Sequence, residues 1–144
     1  MSVRKMVAIA ALVLAAGATT GIVRADEADQ AIRVTFSGPV QIPGQVLPAG
    51  TYWFAVIDDR NPNVVQILSA DRSKSYGILN TISRERSVEV SNATFTLAKR
   101  RGTEPEALVA WFYPGHTIGH EFVYPKPVEQ ELSRAPQDTQ VSGN

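Results

Sequence analysis

The sequence predicts an all-β domain, a single seven-stranded antiparallel β-sandwich, and three observations lead there. Between residues 31 and 126 apolar side chains recur with period 2, the period of a strand, and not with the 3.6 of a helix. Clusters of Pro, Gly, Asn, Asp and Ser separate the alternating runs. No window in this region carries a helical stripe, so the strands have no helices between them. An Ig-like arrangement is favoured, with a small β-barrel as the alternative.

The runs follow in order. Ile32, Val34 and Phe36 alternate with Arg33 and Thr35, which reads as a half-buried strand. Pro39, Pro43-Gly44 and Pro48-Ala49-Gly50 end it. Tyr52 to Ile57 is apolar on both faces, as expected of a covered central strand, and Asp58 to Asn63 separates it from Val64 to Leu68. Tyr76, Ile78, Asn80 and Ile82 form the fourth run, and Ala93, Phe95 and Leu97 the fifth. Leu108 to Tyr113 and Phe122 to Tyr124 complete the seven, each stopped by a proline that cannot donate to a ladder. All eleven aromatic residues lie between Phe36 and Tyr124. The polar segment 127–144 has only Val128, Leu132 and Val141 as large aliphatics, and is expected to be a disordered tail with at most one helical turn.

The N-terminal residues carry a different signal. Arg4 and Lys5 precede the uncharged apolar stretch Val7 to Ala18, and Val23-Arg24-Ala25 has the small-x-small form that signal peptidase accepts. Residues 1–25 are therefore expected to be a secretory signal cleaved near Ala25, residues 26–30 a short linker and residues 31–126 the β-domain. An uncleaved anchor is the rival, because Met6 to Val23 approaches the length of a bilayer span. Cleavage would leave 11 basic against 14 acidic residues, a net charge of −3, with no membrane span and an extracytoplasmic location, periplasmic or secreted. A mildly acidic chain of this kind is not expected to bind nucleic acid. The absence of Cys excludes disulfides, thiolate metal sites and cysteine nucleophiles.

Four segments carry candidate chemistry. His116, His120 and Glu121 lie within six residues, and two imidazoles with a carboxylate suit zinc. Their spacing is not that of a helical zinc motif, so a loop between strands would have to bring them together, with Gly115 and Gly119 supplying the freedom. Otherwise they are two exposed loop histidines, with Glu121 beginning a strand. Asp59, Asn61 and Asn63 offer alternating hard oxygens that suit calcium, but Val64 and Ala70 stand where an EF-hand needs Gly and Glu, and a polar hairpin turn accounts for them better. No cofactor is expected beyond those two candidate ions. Trp53, Trp111 and Tyr113 could stack a sugar if both indoles shared an exposed face; in alternating strands the same residues also fill a core. Arg84, Arg86 and Lys99-Arg100-Arg101 read as solvated charges at strand ends. No GxSxG elbow, SxxK, Walker loop or GxGxxG is present.

The pieces Leu47-Pro-Ala-Gly-Thr-Tyr52, Trp111-Phe-Tyr-Pro-Gly115 and Gly119-His-Glu-Phe-Val-Tyr-Pro-Lys126 resemble those of a group of small exported bacterial all-β proteins of uncharacterised function. The resemblance covers roughly residues 31 to 126 and implies localisation and fold, with no activity. The leading expectation is a non-catalytic domain that binds a protein or glycan partner outside the cytoplasm or serves the cell envelope. A carbohydrate-binding module using Trp53, Trp111 and Tyr113 is one alternative. A metal-dependent hydrolase using His116, His120 and Glu121 is the other.

Overall fold

Six of the seven expected runs form strands in the computed structural model, which describes residues 31–58 and 60–144. The expected signal, 1–25, and linker, 26–30, lie outside the described residues. The elements are β1 (Ala31–Phe36), β2 (Val40–Ile42), β3 (Gln45–Leu47), β4 (Gly50–Asp58), β5 (Asn61–Ser69), β6 (Ser75–Glu85), β7 (Ala93–Ala98), β8 (Glu106–Phe112), β9 (Ile118–Phe122), α1 (Lys126–Arg134) and β10 (Thr139–Gly143). The domain is thus mostly β, with ten strands where seven were expected.

The ten strands join in one sheet, ordered β1-β4-β5-β6-β9-β8-β2-β3, with β7 on the other side of β8 and β10 beyond it. The ladders are antiparallel except that β2 runs parallel to the start of β8, so the sheet is mixed. Strand β6 links two parts of it: residues up to Asn80 pair with β5, and Thr81 to Glu85 pair with β9. At the far ends Arg33 and Asn144 exchange two backbone hydrogen bonds, of 2.9 and 2.8 Å, so β1 and β10 meet at one point without forming a ladder.

Alternation explains what the sheet encloses. Phe54 of β4 meets Phe95 at 5.0 Å, Trp111 at 5.9 Å and Phe122 at 6.2 Å between ring centroids, so the sheet folds over onto itself. Phe95 and Trp111 are register partners with nearly parallel rings, 5.6 Å apart and tilted by 7°. Burying a ring such as Phe54 or Phe95 stabilises by about 1.5–3 kcal/mol, and these rings lie within one core cluster with the buried aliphatic residues. In β8 the register passes from Thr96↔Ala110 to Leu97↔Leu108, leaving Val109 as the extra residue of a bulge.

Three strands were not foreseen. Pro43-Gly44, read as a stop, instead turns β2 back onto β3, because Gly44 takes φ +88° behind a proline. The hairpin packs beside β6, where the Gln45 side-chain amide donates to the Tyr76 carbonyl. The polar segment 127–144 is ordered, which corrects both the expected tail and the boundary at residue 126. The ordering entropy is offset mainly by backbone pairing: β10 matches β7 from Thr139↔Leu97 to Gly143↔Ala93 and covers an edge that would otherwise be open. Gly143 is required there, since a Cβ would lie 2.6 Å from Ile32 Cγ2 and 2.9 Å from a Phe95 ring carbon. Helix α1 starts at prolines, buries Leu132, and holds Arg100 through Glu131, with Nη2 donating to Oε2 at 3.0 Å. No described helix is long and apolar enough to cross a membrane.

Candidate functional site

Four of the residues singled out by sequence lie at one place. Trp111 is the penultimate residue of β8 and faces its register partner His120 of β9, with ring centroids 5.1 Å apart. Tyr113, just past β8, lies 4.8 Å from Trp111 and 6.4 Å from both His120 and His116. Ligand and metal candidates therefore share one aromatic cluster.

The histidine in this cluster is held in a defined tautomer. Thr81 Oγ1 lies 3.1 Å from the Asn63 carbonyl and 3.1 Å from His120 Nδ1. The carbonyl can only accept, so the hydroxyl proton goes to Asn63, and Nδ1–H donates to Thr81. Nε2 is left with its lone pair. Burial lowers the pKa of His120 below the usual 6.5, so the ring is neutral at neutral pH. Burial likewise raises the Tyr113 phenol above its ordinary range. The Trp111 Nε1–H and Tyr113 hydroxyl are buried without a hydrogen-bond partner, a feature that in proteins often marks a bound water or polar ligand. Chemically the cluster can accept a hydrogen bond at Nε2 and donate from the indole.

Gly119 was expected to supply loop freedom, but its role is close approach. A Cβ there would lie 2.4 Å from the Trp111 carbonyl oxygen and 2.6 Å from the Phe112 ring, so glycine lets β9 press onto β8. Strand β9 begins at Ile118, four residues earlier than the run Phe122 to Tyr124 implied, and His120 and Glu121 lie within it.

The strand separates the other candidates. Successive residues of β9 face opposite ways, so His120 points to Thr81 while Glu121 lies 3.9 Å from Arg84 on the outer side. His116 is an exposed loop residue. Among the described residues no three His, Asp or Glu side chains approach closely enough to hold one ion. Asp59 lies outside the described residues; Asn61 and Asn63 are exposed in β5, and the neighbouring Asp58 carboxylate caps the turn by accepting the Arg60 N–H at 2.9 Å.

The two tryptophans do not share a face. Trp111 has no exposed surface, whereas Trp53 is half-buried on the outer side of β4, where Nε1 donates to the Ala70 carbonyl at 3.0 Å. One face of the Trp53 ring is taken by Arg72, whose guanidinium carbon lies 4.2 Å from the ring centroid. A turn fixes that arginine: Asp71 accepts from both the Ser69 and Ser73 hydroxyls, which lowers its pKa to about 2, and Arg72 takes φ +61°. A two-indole sugar platform is therefore not assembled.

Arg84 and Arg86 are not simple turn charges either. Arg84 Nη2 donates to Gln137 at 3.2 Å, tying β6 to the segment after α1, and Arg86 lies over the Phe112 ring at 4.8 Å. The sequence reading missed Thr81, Glu131 and Arg134. Thr81 lies on the inward phase of β6, opposite to the run of Ile78, Asn80 and Ile82, and its role exists only through β9; the other two lie in the segment read as disordered. The i,i+4 pair Val128 and Leu132 was the available signal for α1. Comparison with protein-family models, with curated proteins and with solved structures gave no match.

Proposed function

We propose that this chain is an exported β-domain acting outside the cytoplasm as a non-catalytic binding module, with the outer face of β4, β5 and β6 as its contact surface. The observation that carries this reading is the apolar character of a face that no other described element covers. Register places Trp53 opposite Leu68, and Ala55, Gln66 and Ile78 in one row. On β6, Ile78 is 61% and Ile82 50% exposed, and Ile57 of β4 is 48% exposed. Isolated exposed apolar residues are ordinary, but several on one sheet face are typical of protein contact surfaces. The resemblance to exported proteins and the N-terminal apolar stretch support the location.

Two measurements test the reading. Expressed with its own N-terminus in a bacterial host, the exported chain should begin at Asp26 by mass spectrometry; retention of the full-length chain in the cytoplasm would overturn the location. A photo-crosslinking residue at position 78 should give a discrete protein adduct that Ile82→Asp abolishes without lowering Tm, while the same residue at position 35 should give none. Absence of an adduct at position 78 would overturn the contact surface.

A further inference from the structure

We infer that the groove between the β7–β8 turn and α1 is a binding site for a phosphate-bearing anion. The groove has a volume of about 800 Å³, and its walls bring together Lys99, Arg101 and Arg134 from two places in the chain: the turn after β7 and the last turn of α1. Among the described residues none of these three forms an ion pair, whereas their neighbour Arg100 is fully engaged, with Glu131 at 3.0 Å and Glu104 at 3.4 Å. Two carboxylates against four cations leave the groove at +2, although the chain expected after signal cleavage carries −3 overall. A local reversal of sign at a concave place focuses the field on anions.

The walls are held in position before any ligand arrives. Glu131 accepts from Arg100 through both Nε and Nη2 and also receives the Arg101 backbone N–H, and these contacts hold its pKa down. The Lys99 N–H donates to the Pro136 carbonyl at 3.1 Å, joining the end of β7 to the segment after the helix. Because Arg100 and the backbone carry the structural load, the Lys99, Arg101 and Arg134 side chains are free to serve a ligand. Like charges that line one groove repel one another, a cost that a multivalent anion removes.

The ligand chemistry follows from that arrangement. A single carboxylate would neutralise one cation and leave two. Phosphate oxygens can accept from several guanidinium and ammonium donors at once, and guanidinium forks match them in pairs. Pro127, Ala135 and Pro136 also line the groove and offer a surface for the body that carries the phosphate. A soluble phosphate compound and a lipid headgroup share this chemistry. The inference uses none of the residues of the β4–β6 face, so either reading can fail without the other.

The experiment uses the exported chain and a Lys99→Gln/Arg101→Gln/Arg134→Gln variant, with Arg60→Gln at the distant β4–β5 turn as control. Calorimetric titration with inorganic pyrophosphate is paired with sedimentation against phosphatidylcholine vesicles with and without phosphatidylglycerol. The triple variant should keep or slightly raise the ligand-free Tm, since it removes repulsion and breaks no ion pair. Pyrophosphate binding weakened at least about tenfold by the triple variant and unchanged by Arg60→Gln establishes the site for soluble phosphate compounds. Binding only to the phosphatidylglycerol vesicles, lost in the same variant, establishes it for a lipid headgroup. Binding to neither probe, or binding that the triple variant leaves intact, overturns the inference.

Discussion

Trp111 and Trp53 occupy similar apolar runs, yet the sheet treats them in opposite ways. Around Trp111 both sides of the sheet are covered: Phe54 and Phe95 pack from within, and every residue of β8 from Ala107 to Phe112 is buried. Around Trp53 only the inner neighbours Tyr52 and Phe54 are buried, and the outer face has an arginine on the indole and exposed isoleucines nearby. The lesson is that composition of a strand does not decide its burial; what lies against each face does. On the β7–β8 side Leu132 of the helix joins the core and β10 closes the free edge of β7, and both come from the segment that reads as least structured.

The comparison can be broken most directly at its buried end. Trp111→Ala should cost about 3–5 kcal/mol by urea denaturation, because the cavity would open in the middle of the aromatic cluster. A loss under about 1 kcal/mol would mean that Trp111 is not in a packed core. Gly143→Ala comes next: the added methyl meets Ile32 and Phe95 at the distances given above, and overpacking of this kind costs about 1–3 kcal/mol. Its signature should be local, with faster amide exchange in β10 and unchanged exchange in β4 and β5.

Glu131→Gln probes the cover itself. It leaves the Arg100 guanidinium, whose side chain is 13% exposed, without its main charged partner, and the expected outcome is a lower Tm. Helicity should fall with it, read by circular dichroism. Trp53→Phe should cost under about 1 kcal/mol, since the phenyl keeps the Arg72 contact and only the hydrogen bond to Ala70 is lost. The remaining Trp111 fluorescence should then be blue-shifted and inaccessible to acrylamide; red-shifted, quenchable emission would contradict its burial.

The smallest effect concerns His120. Its folded-state pKa lies below 6.5 because burial disfavours the imidazolium, so in the window between the two values the unfolded chain binds more protons than the folded one. Stability is therefore full above pH 6.5 and falls as the pH drops through that window to the folded-state pKa. His120→Asn should flatten that part of the profile of unfolding free energy against pH; an unchanged slope would place the titration elsewhere.

Short apolar runs bounded by turn residues made six strands and the all-β class legible: β1 alternates because it is covered on one face, whereas β7 and β8 are buried almost throughout. The order of those strands was not legible, nor was the fate of each tryptophan, since both depend on which strands become neighbours. Pro43-Gly44 carried the turn to β2 and β3, but a turn residue does not say whether the chain ends a strand or reverses it. Gly119 and Gly143 were ambiguous for a related reason: glycine marks either a free backbone or a close one, and only the Trp111 carbonyl and the Ile32 methyl decide which. The clustering of Trp111, Tyr113, His116 and His120 needed the β8–β9 register, and the separation of Glu121 from His120 needed only the knowledge that both lie in a strand.

By itself, then, the sequence determined the period of the backbone, the positions of most turns and the exclusion of cysteine chemistry, because these are properties of neighbouring residues and composition. Tertiary structure alone decided the ten-strand count, the order of the segment after residue 126 and the pairing of Arg100 with Glu131. Those outcomes rest on hydrogen bonds and charges between residues dozens of positions apart, whose partners exist only once the sheet has folded over.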